Sequence, residues 1–148
     1  MFEKKKHAIL MVEDNDSNHP LFAEAFEAGG FTVTIVPLVD EHFVDNVAKL
    51  QPDIISMDIM ISVTGLEPLH DGLSVISLLK SDERTSDIPI IVLTSFFEES
   101  KVERAKSEGA VDFINLQGHT ISTIPKIFQR YLKNPKRYRP VHPMFAEE

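Results

Sequence analysis

The chain has no cysteine and no tryptophan among its 148 residues. The first absence removes disulfides, thiolate metal sites and thiol nucleophiles, and it suits a reducing compartment, so the expected location is cytoplasmic. The second removes the side chain best suited to stack on a flavin. No run of about 18 apolar residues occurs. The amino terminus (Met1, Phe2, Glu3, then Lys4 to Lys6) runs straight into a short hydrophobic strand without a cleavable signal segment, so no membrane association is expected. Positive charge is scarce: 15 Lys and Arg face 23 Asp and Glu, a net charge of −8. Affinity for polyanions comes largely from neutralising phosphates, so no nucleic acid is expected as a partner. There is no internal repeat, no low-complexity tract and no glycine-rich phosphate loop after the first strand.

What is present is apolar material in two alternating periods. Hydrophobic residues make up 43% of the chain, enough for the core of one domain, and a second folded domain is not expected to fit. Short runs rich in β-branched residues lie at 8–12, 31–36, 53–57, 88–93 and 111–114. Several lack polar alternation, as parallel strands covered on both faces do. Between them fall helical stripes: Leu21, Phe22, Ala25 and Phe26; Phe43, Val44, Val47 and Ala48; Leu73, Ile76 and Leu79; Val102 and Ala105 in a polar segment; and Ile121, Ile124, Ile127, Phe128 and Tyr131. Five successive βα units predict an α/β, doubly wound, five-stranded parallel sheet with five helices, a single domain over 1–134. Residues 135–148, with three prolines, no apolar periodicity and the basic Lys136, Arg137 and Arg139, are expected to form an extended or disordered tail.

In open α/β sheets, ligands bind beyond the carboxyl ends of the strands, near the switch in strand order. The first strand ends in Glu13-Asp14, the third in Asp58 and the fourth in Thr94-Ser95. If the first and third strands are neighbours, three carboxylates share one rim. Their mutual repulsion calls for a cation, and hard oxygen ligands suit Mg²⁺. A carboxylate beside a divalent ion is also a nucleophile for a phosphoryl group, with Thr94 able to donate to a phosphoryl oxygen.

These residues resemble the response-regulator receiver domain of two-component signalling, which has a flavodoxin/CheY-like (βα)5 fold. The resemblance is carried by Ile9-Leu10-Met11-Val12-Glu13-Asp14-Asn15, Pro52-Asp53-Ile54-Ile55-Ser56-Met57-Asp58-Ile59-Met60, Asp71-Gly72-Leu73, Ile88-Pro89-Ile90-Ile91-Val92-Leu93-Thr94-Ser95 and Gly109-Ala110-Val111-Asp112-Phe113-Ile114. It implies Asp58 as phosphoacceptor, Asp14 as a direct Mg²⁺ ligand, Glu13 as a second acidic group acting through water, and Met60 as a backbone-carbonyl ligand. It further implies Thr94 as a switch hydroxyl and Phe113 as a switch aromatic. The partners implied are a histidine kinase or phosphotransfer protein as donor and a downstream protein, with the chain a monomer or weak dimer and not an enzyme. The sequence ends soon after Tyr131, so output is expected through a surface, at the fourth helix, fifth strand and fifth helix. The adjacent Phe96 and Phe97 start that fourth helix.

Two departures stand out. Where the family has a lysine followed by proline after the fifth strand, this chain reads Leu116-Gln117. The loop after Asp58, 62–70, is about six residues longer than usual, which costs little in closure entropy, and it carries His70. The departures leave open a phosphorylation-independent pseudo-receiver that signals by contact alone. A small enzyme on a flavodoxin-like scaffold, a phosphatase or a flavin protein, is a third reading, for which the chain has no glycine-rich phosphate loop after its first strand and no tryptophan.

Overall fold

A computed structural model describes residues 5–96 and 98–146. The elements alternate through most of the chain: β1 (His7–Val12), α1 (His19–Ala28), β2 (Phe31–Val36), β3 (Leu38–Val39), α2 (Phe43–Leu50), β4 (Ile54–Met57), β5 (Ser62–Val63), α3 (Gly72–Lys80), β6 (Ile90–Thr94), α4 (Glu99–Glu108), β7 (Asp112–Asn115), α5 (Ile124–Lys133) and α6 (Pro143–Ala146). Five strands form one parallel sheet in the order β2-β1-β4-β6-β7. This is the doubly wound sheet predicted above, with the switch in strand order between β1 and β4.

The two sheet faces are built by period-two alternation. Ile9 and Met11 of β1 point to one side and pack with Phe22, Phe26, Ile124, Ile127 and Phe128, under α1 and α5. Leu10 and Val12 point to the other, with Phe43, Val47, Leu73, Ile76, Val102 and Ala105, under α2, α3 and α4. The polar α4 is held by Val102 and Ala105, both buried, as its sequence predicts. Before α1, Asn15 caps a short 3-10 turn over Asp16–Asn18, and Pro20 stands in the first turn of α1.

The long loop after Asp58 is tied down. Ser62–Val63 pairs in parallel with Leu38–Val39, a second small sheet that the sequence does not announce. Thr64 N–H donates to Val39 O at 2.9 Å, and Val63 and Leu66 pack against the larger core cluster.

The carboxyl-terminal segment departs from the extended or disordered arm expected of it. After a 3-10 turn at Pro135–Arg137 it folds back over the domain and closes with α6. The reason is apolar content without a helical period: Tyr138 and Val141 pack against one core cluster, and Met144 and Phe145 against the other. Among the described residues, no helix is long and apolar enough to cross a membrane.

Candidate functional site

Strand register builds the site. Val12 of β1 lies opposite Met57 of β4, so the residues that follow each strand, Glu13 and Asp58, emerge side by side. Asp58 N–H donates to Val12 O at 3.2 Å, which fixes that start. Carboxylate oxygens of Glu13, Asp14 and Asp58 all lie within 4.8 Å of one another. Thr94, last residue of β6, donates its hydroxyl to Asp58 Oδ1 at 2.7 Å and accepts from Phe96 N–H at 3.1 Å. Four residues from three separate strand ends therefore converge, as the sequence places them.

The neighbourhood is tight. Gly72, first residue of α3, donates its N–H to Ile59 O at 2.8 Å, and a Cβ on it would sit 1.9 Å from Asp58 O. Only glycine admits that approach of α3 to the end of β4. Asp71 caps α3 through Ser74 N–H at 2.8 Å and pairs with Arg104 Nη1 at 3.1 Å. Ser74 and Arg104 are held together as well, at 2.9 Å. The hydrogen bonds to Ser74 and the guanidinium keep the Asp71 carboxyl below the usual range despite its burial.

Glu13 is 4% exposed, its carboxylate accepting from Asn15 N–H at 3.1 Å and from the Asn18 amide at 3.4 Å. Asp14 is half-buried and accepts from the Ser62 hydroxyl at 3.2 Å, which draws the long loop to the site. Burial foremost, and then the negative charge of Glu13, push the Asp58 carboxyl up to about 7, against the pull of the Thr94 hydrogen bond. A carboxylate held that far above its ordinary range is one whose charged form is disfavoured first by burial and then by a neighbouring anion. The donor set is all hard oxygen, and a divalent cation among the three carboxylates relieves the repulsion, so these residues fit Mg²⁺.

The remaining expected residues are distributed around this centre. Met60 is 59% exposed at the rim and lines a cavity of about 500 Å³ together with Asp14, His70, Phe96, Glu98 and Lys101. His70 is exposed and turned to its own loop, with Nδ1 3.2 Å from Pro68 O. Phe113 is 1% exposed in the larger core cluster, opposite Val92 of β6. Leu116 packs against the smaller core cluster, while Gln117 stays exposed in the 3-10 turn that Asn115 caps. Phe97 lies outside the described residues. Sequence reasoning missed Arg104, the rim cation Lys101 and the Ser62 hydroxyl on Asp14. No local pattern marks any of them, because each acts on a residue at least 30 positions away or across a cavity.

Comparison with known proteins agrees with this geometry. The response regulator receiver domain family matches residues 9–118. The polar-differentiation response regulator DivK of Brucella ovis is 33% identical over 108 residues, 73% of this chain and 82% of that protein. Among solved structures, the BeF3-activated receiver domain of Klebsiella pneumoniae RstA aligns with TM-score 0.72 at 21% identity, over 86% of this chain and 100% of its own. The receiver domain of the Pseudomonas aeruginosa sensor histidine kinase PA1611, solved with a magnesium ion coordinated in its active-site cleft, aligns with TM-score 0.70 at 25% identity, over 88% and 100%. With the strand order, the acidic cluster and these matches in agreement, the chain belongs to the response regulator receiver domain family, a signalling module of two-component systems.

Proposed function

We propose that this receiver accepts a phosphoryl group on Asp58 from a phosphohistidine of a kinase or phosphotransfer protein, with Mg²⁺ held by Asp14, Asp58 and the Met60 carbonyl and by Glu13 through water. The observation that carries the reading is the meeting of three carboxylates with a hydroxyl already on Asp58 at 2.7 Å. Bound Mg²⁺ supplies charge neutralisation for the incoming phosphoryl oxygens. The Asp58 carboxylate attacks phosphorus, the bond from phosphorus to the donor's imidazole nitrogen breaks, and its electron pair stays on that nitrogen. The product is an acyl phosphate on Asp58. Thr94 then turns its hydroxyl from the Asp58 carboxylate to a phosphoryl oxygen, and Phe113 in the neighbouring strand follows that movement. The setting is cytoplasmic, and output passes by contact to a downstream protein.

With Leu116 in the usual lysine's place, positive charge at the rim comes from Lys101, which faces the same cavity as Asp14. A second reading, contact signalling without phosphate, draws its support from Leu116 alone, an apolar side chain turned into the core where a phosphate partner is otherwise found.

Intact mass after incubation with Mg²⁺ and acetyl phosphate separates the two. One added phosphoryl group, lost in Asp58→Asn, supports the acceptor reading. Absence of an adduct with acetyl phosphate and with a cognate kinase, together with undiminished partner binding by Asp58→Asn, leaves the pseudo-receiver.

A further inference from the structure

The edge strand β7 begins with a carboxylate that the domain proper does not satisfy. Asp112 is 0% exposed, in a strand otherwise made of apolar side chains and Asn115. Its Oδ1 accepts from Phe113 N–H at 2.8 Å and from His142 N–H at 3.0 Å. Its Oδ2 accepts from Val141 N–H at 2.6 Å and from the Tyr138 hydroxyl. Three of the four donors come from 138–142. A buried carboxylate without donors is strongly unfavourable, so this one is a receptor for that segment.

The rest of the segment spreads over the neighbouring elements. The Tyr138 ring meets Tyr131 of α5 edge-on, with centroids 5.2 Å apart. The His142 ring lies edge-on to Phe113, 5.8 Å away, and contacts Phe145 at 6.2 Å. Met144 and Phe145 pack against the larger core cluster, and Lys106 of α4 donates to Met144 O at 2.6 Å. Tyr138, Val141, His142, Met144 and Phe145 thus reach α4, β7 and α5 together. The family match ends at residue 118, and receiver domains of known structure are aligned over their whole length by 86–88% of this chain. The segment lies outside the family match and is laid on one face of the domain.

We propose that the face formed by α4, β7 and α5 is a peptide-docking surface whose occupant in the resting chain is residues 138–146, a ligand in cis that an output partner must displace. The occupant's chemistry describes the partner's: consecutive backbone amides and a hydroxyl for the Asp112 carboxylate, then an apolar-aromatic pair for the groove beside α4. Occupancy is tied to the acidic site through the strands. Val92 pairs with Phe113 and Thr94 with Asn115, so the aromatic ring under His142 sits in the strand alongside the one that contacts Asp58. This coupling rests on the phosphoryl-acceptor reading, whereas the docking does not.

Hydrogen exchange read by mass spectrometry on the full chain tests both parts, with Mg²⁺ alone and with Mg²⁺ plus acetyl phosphate, the adduct being read as intact mass in the same samples. Peptides spanning 138–146 are expected to exchange at least about tenfold slower in the native chain than in a Tyr138→Phe/Phe145→Ala variant, at a rate independent of protein concentration. In adduct-bearing protein they are expected to exchange about tenfold faster than without adduct. Equal rates in the native chain and the variant overturn the docking. Protection that fades on dilution overturns the cis assignment and makes the occupant a second copy's tail. Unaltered protection in adduct-bearing protein overturns the coupling alone. Failure to form any adduct, with acetyl phosphate and with a cognate kinase, overturns the coupling together with the reading of Asp58, and the docking is then decided by the phosphate-free comparison.

Discussion

Asp58 is the residue at which stability and function oppose each other. Its folded value of about 7 lies above the ordinary 3.8. Below about pH 4 the carboxyl is protonated in the folded and unfolded chain alike; between there and pH 7 only the unfolded chain ionises, so stability falls as pH rises. Above pH 7 the fold carries the whole cost, on the order of 4 kcal/mol in the absence of a cation. Asp58→Asn is therefore expected to be more stable than the native chain in metal-free buffer near pH 8, with the gap closing toward pH 4, as thermal unfolding at the two pH values will show. A second prediction concerns Leu116. A charged hydrogen bond in such a site is worth about 1.5–3 kcal/mol, so Leu116→Lys is expected to speed acetyl phosphate labelling about tenfold or more. The same substitution trades apolar packing for charge and lowers stability by roughly 1 kcal/mol. Labelling time courses and melting of the variant check both. At this scale the sequence was informative wherever a residue's position on a strand end fixed its place: Glu13, Asp14, Asp58 and Thr94 meet as expected. It was silent on Arg104, one of several charged side chains on α4, because its partner Asp71 is 33 residues away and nothing local says which charge turns inward.

Among the elements, the junction of β4 and α3 carries the closest contact in the site. Gly72→Ala sets a methyl 1.9 Å from Asp58 O, a backbone atom that cannot swing aside. The expected cost is about 3 kcal/mol, with weakened cation binding because Asp58 moves with its backbone. Denaturant unfolding and a Mg²⁺ titration of the variant report the two effects separately. At the helix start itself, Asp71→Ala removes both the cap and the partner of Arg104 and is expected to cost about 2 kcal/mol, more than Asp71→Asn, which keeps an oxygen for Ser74 N–H. The five long strands and five helices could be read from apolar periods because each buries enough side chains to show one. The β3·β5 pair could not, since two residues per strand carry no period, and its register is set by Thr64 N–H reaching Val39 O rather than by any pattern of its own.

Over the whole molecule, charge is divided along the chain. Between residues 113 and 146 there are six Lys or Arg and no Asp or Glu, within a protein of net charge −8. The remainder therefore holds −14, and α5 with the segment after it forms a basic edge on an acidic body. The carboxyl-terminal segment was misread for a related reason: prolines and basic residues resemble a solvated tail, and the carboxylate that receives it, Asp112, lies 26 positions before Tyr138. The acidic body, by contrast, is the fold's own consequence. The sheet order brings strand ends with like charge to one rim, and the three carboxylates there fit a divalent cation that relieves their repulsion. Calorimetric titration of the full chain with Mg²⁺ tests that claim most directly. One bound ion is predicted, with affinity rising as pH increases through about 7 because Asp58 must lose its proton, and falling at least about tenfold in Asp14→Asn and in Asp58→Asn. Affinity indifferent to both substitutions and to pH would contradict the account.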